Sequence, residues 1–483
     1  MAAASADALP FLPAAWDHAR DGAPALYDAA RGTWIDYGAL REKIAALAPA
    51  LKAPRKSLIF CLAENSASGV IGYLAAAASN HAVAMVDPGL PSLAELTAQY
   101  RPEFIIAPAG FAPPDGYRAV DWKSRSGALP VAAPVLMEPD SCLRGNDEAH
   151  AIHPGLFLLL PTSGSTGGRK FVRLSYRNIA ANTASIIASL DLTATALAFL
   201  HLPLSYSFGL SILHTQLATG GGVIATGLGM MERGFWDLAR QAEATLFPGV
   251  PYHYEMLARL GLARLDLPKL NMFLQAGGKL SAGLTAPLGR DIAARGGAFY
   301  IMYGQTEAAP RMTCFAAHRH PDKIGSAGPA IPGGRITIED GEIVYRGGNV
   351  MMGYAAQRSD LALGDTQQGV LHTGDLGALD SDGFLTITGR KQRFAKLYGL
   401  RIALDEIERL LRPMAQVAVW EGGNRIMIAT TADADVQAAM KTCLQEKTSI
   451  QPAWIAMKTV PEFSYLPNGK LDYRRLMGLA ENR

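Results

Sequence analysis

Cysteine is scarce in this sequence, and the spacing of the few cysteines argues against a disulfide framework and against a cysteine metal site. The 483 residues contain four cysteines, and no two of them form a C-x-x-C pair. A disulfide framework and a cysteine metal site both need closely arranged cysteines, so we expect neither. Scattered free cysteines are typical of a reducing compartment, and we therefore expect a cytoplasmic protein.

Long apolar runs are absent as well. No stretch approaches the roughly 18 consecutive apolar residues that a membrane-spanning helix needs. Residues 1–13 carry neither the basic region nor the sustained apolar core of a signal peptide. The sequence therefore predicts no membrane span.

Neither sign of charge dominates the chain. It has 45 basic and 43 acidic residues, for a formal net charge of +2. This balance gives no reason to expect nucleic acid or an anionic membrane as a partner. Because 49% of the residues are hydrophobic and 18% are charged, the chain can bury large cores. Its length suggests about two to four structural units.

The first part of the chain alternates between strand and helix patterns. Residues 57–62, 81–86 and 104–108 are short, apolar, β-rich runs, and the alanine-rich residues 67–79 predict a helix that packs against a sheet. Strands and helices at this spacing predict a doubly wound α/β architecture. Residues 111–150 are rich in Pro, Gly and Ser and predict a connecting loop with one or two short strands.

Later segments predict further structures. Residues 175–190 predict a helix with Asn178 and Asn182 on its polar face. From residue 336 the pattern changes to short strands separated by Gly/Asp turns, which predicts a small β-barrel-like subdomain. These strands are residues 336–338, 342–345, 370–373 and 384–388. Beyond Arg390 we expect a compact tail with one clear helix at residues 404–411.

A loop rich in glycine and hydroxyl side chains follows an apolar run at residues 156–160, which predicts a buried strand. The loop consists of Thr162, Ser163, Gly164, Ser165, Thr166, Gly167, Gly168, Arg169 and Lys170. Glycines bring backbone N–H groups close to an anion, and hydroxyls and cations add donors and positive charge, so the loop suits phosphate. The Walker A pattern fails because Arg169 stands where its second glycine belongs and Phe171 follows Lys170. Composition alone leaves a Ser/Gly-rich surface turn as the alternative.

Further motifs follow this loop in a fixed order. They are Y-G-Q-T-E at 303–307, T-G-D-L at 373–376, G-R-K-Q-R-F-A-K-L-Y-G-L-R-I at 389–402 and P-N-G-K-L at 467–471, with weaker matches P-L-S-Y-S-F-G at 203–209 and A-G-G-K-L at 276–280. With these motifs in this order, the chain resembles the ANL superfamily of adenylate-forming enzymes, which includes acyl-CoA synthetases, nonribosomal peptide synthetase adenylation domains and luciferases.

The resemblance implies an α/β fold in two domains. The large N-terminal domain would comprise residues 1–390, with doubly wound α/β subdomains and the β-barrel-like subdomain, and would bind ATP and the acyl substrate. The small C-terminal domain would comprise residues 391–483, an α+β unit that moves during the reaction and carries a catalytic lysine.

The resemblance also implies an AMP-forming acid–thiol ligase. Such an enzyme activates a small carboxylic acid with ATP, releases pyrophosphate, and passes the acyl group to a phosphopantetheine thiol. The thiol would belong to CoA or to a separate acyl or peptidyl carrier protein. Because charge builds on the phosphate oxygens, this chemistry needs cations, backbone donors and Mg²⁺ more than a covalent nucleophile.

By this resemblance, nucleotide-binding roles fall on matching residues. Glu307 would hold Mg²⁺, which prefers carboxylate oxygen, and Thr306 would donate to the α-phosphate. Tyr303 would stack on adenine, Asp375 would accept from the ribose hydroxyls, and Arg390 would fix the ribose or a phosphate. The remaining candidates are Thr162, Ser163, Gly164, Ser165, Thr166, Gly167, Lys170, Gly277, Gly278, Lys279, Gly304 and Gln305. Taken singly, Tyr303 could equally be a core aromatic and Glu307 a surface acid.

The same resemblance implies a moving lysine. Lys470 would bridge the carboxylate and the α-phosphate during adenylation and would then be withdrawn as the C-terminal domain rotates. Gly399 would lie in the thiol tunnel beside the pantetheine arm, and Gln392 would be the hinge. In isolation, residues 467–470 are simply a turn with a solvated lysine.

Candidates for the acyl pocket also follow from motif position. They are Tyr206, Phe208, Gly209, Gly277, Met302, Ala308 and Arg311. This set suits an apolar acyl or aryl chain, and Arg311 is expected either to meet a polar group of the substrate or to lie on the surface. Residues 201–216 contain no acid, whereas amino-acid-activating members usually place an Asp there for the α-ammonium group. A simple carboxylic acid is therefore favoured over an α-amino acid.

Three alternatives stay open. The first is a stand-alone adenylation enzyme that activates an amino acid. The second is a kinase or other nucleotide-binding protein that uses the 162–170 loop and forms ADP rather than AMP. The third is a degenerate, non-catalytic family member, against which the presence of Glu307 and Lys470 argues.

Overall fold

The chain divides into two units. The computed structural model describes residues 9–90, 92–120, 135–139, 151–161, 170–391, 393–397, 400–422, 425–448, 450–466 and 469–481. The first unit comprises Met1–Arg335 with Tyr345–Leu371, and the second comprises Ile336–Val344 with His372–Arg483. The domain boundary at residue 390 stays a prediction.

Short strands and helices alternate along the chain. The strands are β1 (Pro24–Asp28), β2 (Thr33–Asp36), β3 (Leu58–Cys61), β4 (Ala82–Met85), β5 (Phe104–Ala107), β6 (Tyr117–Val120), β7 (Val135–Pro139), β8 (Leu156–Pro161), β9 (Phe171–Ser175), β10 (Leu197–Leu200), β11 (Gly222–Ala225), β12 (Leu246–Gly249), β13 (Met272–Gln275), β14 (Ala298–Gly304), β15 (Arg311–Ala316), β16 (Gly334–Glu339), β17 (Glu342–Gly347), β18 (Gly353–Ala355), β19 (Val370–Leu379), β20 (Leu385–Arg390), β21 (Phe394–Leu397), β22 (Leu400–Ala403), β23 (Val417–Gly422), β24 (Arg425–Thr430) and β25 (Ile455–Thr459). The helices are α1 (Tyr37–Leu47), α2 (Ala67–Ala78), α3 (Leu93–Tyr100), α4 (Tyr176–Leu190), α5 (Ser207–Thr219), α6 (Arg233–Gln241), α7 (Pro251–Leu260), α8 (Ala282–Ala294), α9 (Leu404–Leu411), α10 (Ala434–Lys447) and α11 (Tyr473–Glu481). In the part of the chain that the structure describes, none of these helices has the length and apolar character needed to cross a bilayer.

The first unit is built on two eight-stranded sheets. The strand order is β15-β14-β13-β12-β10-β11-β1-β2 in one sheet and β18-β9-β8-β4-β3-β5-β7-β6 in the other. From β14 to β1 the first sheet is parallel, with β15 and β2 antiparallel at its edges. In the second sheet β8, β4, β3 and β5 are parallel, and every residue of β3 and β4 is buried. Parallel strands buried on both faces need helical crossovers, so this is the predicted doubly wound α/β architecture.

The predicted early elements correspond to observed ones. They are residues 57–62 with β3, 67–79 with α2, 81–86 with β4, 104–108 with β5 and 156–160 with β8. The helix α2 starts where expected because the Ser66 side chain accepts from the Gly69 N–H as an N-cap. Within the predicted loop at 111–150, β6 and β7 are present, and residues 121–134 and 140–150 lie outside the described residues.

The predicted polar face of α4 is wrong. The helix itself is confirmed, with a capping box between Ser175 and Asn178. Asn178 and Asn182, however, are only 8% and 1% exposed. The Asn178 Nδ2 donates to the Gly348 carbonyl at 2.8 Å, and the Asn182 Nδ2 donates to the Arg311 carbonyl at 3.0 Å. Buried amides need such partners, and these partners lie far away in sequence.

The strands predicted beyond residue 336 are present and lie largely in the second unit. Residues 336–338, 342–345, 370–373 and 384–388 fall in β16, β17, β19 and β20, which form one sheet in that order. The strands β21 and β22 pair as an antiparallel hairpin, and β23-β24-β25 form a three-stranded sheet. The helices α9 and α10 share a buried core with this sheet. The helix α9 has the predicted bounds.

Arg393 forms the centre of a polar cluster in the second unit. Its guanidinium donates to both oxygens of Glu408, at 2.5 and 3.1 Å, and forms an ion pair with Asp405. The Tyr473 hydroxyl donates to Glu408 Oε1 at 2.7 Å. Burial lowers the pKa of Arg393, but the hydrogen bond and charge of Glu408 outweigh burial and leave this pKa raised. The cluster thus joins α9 and α11 through one charged side chain.

We expect Arg393→Met to destabilise the second unit by about 3 kcal/mol, because the buried Glu408 would lose its cation. Native-state hydrogen exchange of residues 404–411 in increasing urea measures the change. The matched control is Arg409→Met, since Arg409 is 67% exposed on the same helix, and its loss should cost no more than about 0.5 kcal/mol. Equal effects of both substitutions would contradict a structural role specific to Arg393.

Candidate active site

The Y-G-Q-T-E segment forms a tight reversal between two strands. The strand β14 ends at Gly304, a 3-10 turn spans Thr306–Ala308, and β15 returns antiparallel from Arg311. Gly304 pairs with Arg311, and a Cβ on Gly304 would lie 1.8 Å from the Pro310 carbonyl oxygen. A glycine is therefore required for this reversal, which leaves Gln305, Thr306 and Glu307 partly exposed at one end of the sheet.

Two buried asparagines fix the far side of the reversal. The Asn349 Nδ2 donates to the carbonyls of Ala308 and Arg311, at 2.7 and 2.8 Å. The Asn182 side chain donates to the Arg311 carbonyl and accepts from the Arg311 N–H. Asn349 also accepts from the Tyr345 hydroxyl at 2.9 Å and is 3% exposed. Asn349 was not predicted from the sequence, because a single asparagine after two glycines carries no recognisable pattern.

Glu307 is the half-buried carboxylate of this turn. Its Oε1 accepts from the Tyr354 hydroxyl at 2.9 Å, and its carbonyl accepts from the Met351 N–H. Burial, and then the charge of Glu307, raise the pKa of Tyr354, so this hydroxyl stays a donor. Tyr354 lies on β18, 47 residues further along the chain, and was not predicted from sequence.

One carboxylate suits a Mg²⁺ ion that takes its other ligands from phosphate and water. Among the described residues, no group of three or more His, Cys, Asp or Glu side chains could hold a metal by itself. Glu307 fits the predicted role because it is partly exposed and is oriented by Tyr354. Two features therefore make Glu307 suitable for Mg²⁺: its carboxylate oxygens and the hydrogen bond from Tyr354 that orients them.

Hydroxyl and aromatic groups surround the same turn. Thr306 Oγ1 lies 3.3 Å from Ser207 Oγ, and Ser207 is the first residue of α5. The Gln305 Nε2 donates to the Tyr303 hydroxyl at 3.4 Å. The side chains at positions 303, 305 and 306 are all partly exposed. Ser207 was not among the predicted site residues, although the weaker motif at 203–209 contains it.

The A-G-G-K-L loop follows β13 and packs against Tyr206. The buried Gln275 donates to the Gly278 carbonyl at 2.8 Å and closes the loop. Gly277 has a φ of +80°, and a Cβ there would lie 2.5 Å from the Tyr206 hydroxyl oxygen. Both facts require glycine. Lys279 is exposed at the end of this loop.

Arg311 is buried rather than on the surface. It is 3% exposed, and its guanidinium carbon lies 4.7 Å from the centroid of the Phe208 ring. Burial lowers the pKa of Arg311 to about 10. Burial also raises the pKa of Tyr206 to about 12, although the charge of Arg311 opposes this rise. Of the two expectations for Arg311, the surface position is wrong.

The other pocket candidates are buried residues. Phe208, Met302 and Ala308 are 2%, 4% and 0% exposed. Gly209 is buried in α5, where a Cβ would lie 2.5 Å from the Pro203 carbonyl oxygen, so its glycine is explained by helix packing. The pocket role of all four stays a prediction.

In the second unit, Asp375 is held on β19. It is 4% exposed and pairs in register with Arg390 on β20, whose Nε lies 3.1 Å from Asp375 Oδ1. The buried Glu342 accepts from the Gly374 N–H at 2.9 Å and from Lys391 Nζ at 2.8 Å. The hydrogen bond from Lys391 is the main cause that lowers the pKa of Glu342. Glu342 thereby orients the T-G-D turn, a role that the sequence did not reveal.

Lys470 closes a short turn near the C-terminus. Its carbonyl accepts from the Leu466 N–H at 2.7 Å, and Tyr465 forms an isolated β-bridge with Leu471 beside it.

Lys170, the last residue of the predicted phosphate loop, is exposed immediately before β9. The predicted site residues of the 162–169 loop, Gln392 and Gly399 lie outside the described residues, as do residues 467–468 of the P-N-G-K-L motif.

The comparison with protein families identifies the class. Residues 14–355 match the family described as AMP-binding enzyme. Because this match covers more than half of the chain, the chain belongs to the AMP-binding enzyme family, and the resemblance to adenylate-forming enzymes is confirmed.

The chain also resembles individual proteins, at sequence identities of 21% to 30% in three examples. Over 275 residues the chain is 30% identical to the feruloyl-CoA synthase of an Amycolatopsis species, and this match spans 53% of each protein, about half the length of that relative. Over 443 residues it is 26% identical to 4-coumarate–CoA ligase 1 of Oryza sativa subsp. japonica, covering 80% of this chain and 75% of the relative. The solved structure of ATP-bound MatB from Rhodopseudomonas palustris has a TM-score of 0.76 at 21% identity and covers 99% of both chains. This likeness confirms the predicted fold class.

Proposed function

We propose that the protein is an AMP-forming ligase that activates a carboxylic acid with ATP and transfers the acyl group to a pantetheine thiol. The observation that supports this most directly is the reversal at residues 303–311, which brings Thr306, the neighbour of Glu307, beside Ser207 at the start of α5. This arrangement gathers hydroxyl donors, a helix N-terminus and a carboxylate at one end of a sheet, as phosphate chemistry needs. The family membership supports the same reaction.

The first half-reaction forms the acyl-adenylate. A carboxylate oxygen attacks the α-phosphorus, the bond from that phosphorus to the β-phosphate bridging oxygen breaks, and pyrophosphate leaves. We assign Thr306 and Lys470 as donors to the α-phosphate, and Glu307 as the residue that would hold Mg²⁺. The ion supplies charge neutralisation on the phosphates. We assign Asp375, oriented by its ion pair with Arg390, to the ribose hydroxyls.

The second half-reaction forms a thioester. The thiol sulfur attacks the acyl carbon, its proton goes to solvent, and AMP leaves. CoA is the acceptor we favour, because the similar proteins named above are a CoA synthase and a CoA ligase. A separate carrier protein is the alternative acceptor. Gly399 and Gln392 keep their proposed places in the thiol tunnel and at the hinge.

The amino-acid-activating alternative is disfavoured by charge. The buried guanidinium of Arg311 lies beside Phe208 and acts electrostatically on Tyr206. An α-ammonium group in the same pocket would be repelled, because like charges interact strongly where water is excluded. A carboxylic acid without an α-amino group therefore fits the pocket better.

Pyrophosphate release tests the proposed function. ATP and Mg²⁺ would be supplied with a panel of fatty, aryl, dicarboxylic and amino acids, each with and without CoA. We expect an acid-dependent signal that rises with CoA and yields AMP. Formation of ADP would instead support a kinase, and silence across the panel would support a non-catalytic family member. An acid-dependent signal that CoA leaves unchanged would support a carrier protein as acceptor.

Tyr354→Phe should lower kcat/KM by about tenfold, because Glu307 would lose the hydroxyl that orients it. The loss should shrink as Mg²⁺ is raised, since a misaligned carboxylate binds the ion more weakly. A Mg²⁺ titration of wild type and variant measures this. Tyr252→Phe, on a partly buried tyrosine of α7, is the control for removing a hydroxyl. A Tyr354→Phe defect that does not depend on Mg²⁺ would contradict the assignment.

A further inference from the structure

Arg311 is a buried cation with no anionic partner in the described part of the chain. Its Nε is buried and has no hydrogen-bond partner. The groups that act on it electrostatically are Cys314 and Tyr206, and neither is a carboxylate. A guanidinium carries five N–H donors, and a buried charge without a counter-ion is costly. The protein therefore keeps an unsatisfied cation at this position.

The position of this cation is rigidly determined. The Arg311 backbone is fixed on both sides by the amides of Asn182 and Asn349. The guanidinium lies over the Phe208 ring at 4.7 Å, which orients it but satisfies none of its N–H donors. A planar, preorganised guanidinium whose Nε has no partner matches the geometry of a carboxylate, which a guanidinium can bind through two parallel hydrogen bonds.

The partner of Arg311 must keep its charge throughout the reaction. The carboxylate that reacts loses its charge when it becomes an acyl-adenylate, so a cation paired with it would become unpaired again. A carboxylate elsewhere on the substrate stays ionised in both half-reactions. A cation that binds this second carboxylate equally well at every stage positions the acid and does not slow either half-reaction.

We propose that Arg311 binds a second carboxylate of the acyl substrate, so that the preferred substrate is a dicarboxylic acid with an apolar or aryl spine. This inference rests on the proposed function. The spine would contact Phe208 and Met302, both almost fully buried.

Matched pairs of acids test this inference. Terephthalate is compared with 4-methylbenzoate, and adipate with hexanoate, in the pyrophosphate assay. In wild type we expect a higher kcat/KM for the diacid of at least one pair. In Arg311→Met the diacid-to-monoacid ratio should fall by about 100-fold, mainly through KM, because a buried charge pair is lost. Arg319→Met, which removes an exposed charge just beyond β15, should keep the wild-type ratio.

Each outcome is decisive. Thermal unfolding without substrate checks the fold of Arg311→Met, and we expect no loss of Tm because an unpaired buried charge is replaced by an apolar chain. A clear fall in Tm would show a structural role and overturn the inference. Preference for monoacids, or an unchanged ratio in Arg311→Met, would overturn it while leaving acid activation intact. Absence of any acid-dependent pyrophosphate release would instead overturn the proposed function itself.

Discussion

Lys470→Ala should slow acyl-adenylate formation by about 1,000-fold, because the transition state would lose a cation at the developing phosphate charge. Thioester formation from supplied acyl-adenylate should continue, since the lysine has no proposed part in that step. The two half-reactions would thus respond unequally to one substitution. This asymmetry is the property that distinguishes a moving lysine from a residue that serves the whole cycle.

The local structure makes Lys470 a suitable residue for such a test. The turn that carries it is closed by backbone hydrogen bonds from the Leu466 N–H to the Lys470 carbonyl and from the Gly469 N–H to the Leu466 carbonyl, which do not depend on the lysine side chain. Tyr465 and Leu471 on either side pack against a core that includes Trp420. Removing the lysine side chain should therefore leave this turn in place.

Separate half-reaction assays measure the asymmetry. Pyrophosphate release reports adenylation, and consumption of synthetic acyl-adenylate by CoA reports thioester formation. Lys441→Ala, an exposed lysine on α10 of the same unit, controls for loss of charge. Equal losses in both half-reactions for Lys470→Ala would remove the moving-lysine account.

Local patterns were enough to predict the α/β core. The strand β3 and the helix α2 lie within a residue or two of their predicted bounds, and α9 matches its prediction. Such elements depend on short apolar runs, caps and turn residues, all of which are adjacent in sequence. The Y-G-Q-T-E segment was recognised for the same reason, since its residues are contiguous.

Contacts between distant segments could not be predicted in this way. Asn182 was expected on a polar face, yet it meets the Arg311 backbone 129 residues away. The support of Glu307 by Tyr354, and of the T-G-D turn by Glu342, also joins separate strands. Periodicity tells which side of a helix is polar but not which polar side chains are needed inside. A single sequence holds no information on such pairs.

Glu307→Gln should lower kcat/KM at limiting Mg²⁺ by about 100-fold, because a neutral amide replaces the one carboxylate that we assign to the ion. The substitution keeps the size and shape of the side chain. It also keeps the backbone hydrogen bond from Met351 to the Glu307 carbonyl, so the turn should persist. The expected defect is therefore electrostatic and confined to metal-dependent steps.

A Mg²⁺ titration separates this assignment from a general loss of activity. If Glu307 holds the ion, the rate of Glu307→Gln should still rise at Mg²⁺ concentrations that already saturate wild type, and Tm without ligands should be unchanged. Glu95→Gln, an exposed acid on α3, controls for the change in net charge. Unchanged Mg²⁺ dependence in Glu307→Gln would rule out the metal role. Because Tyr354 hydrogen-bonds this carboxylate, combining Glu307→Gln with Tyr354→Phe should cost less than the sum of the two separate losses, since both act through one ion.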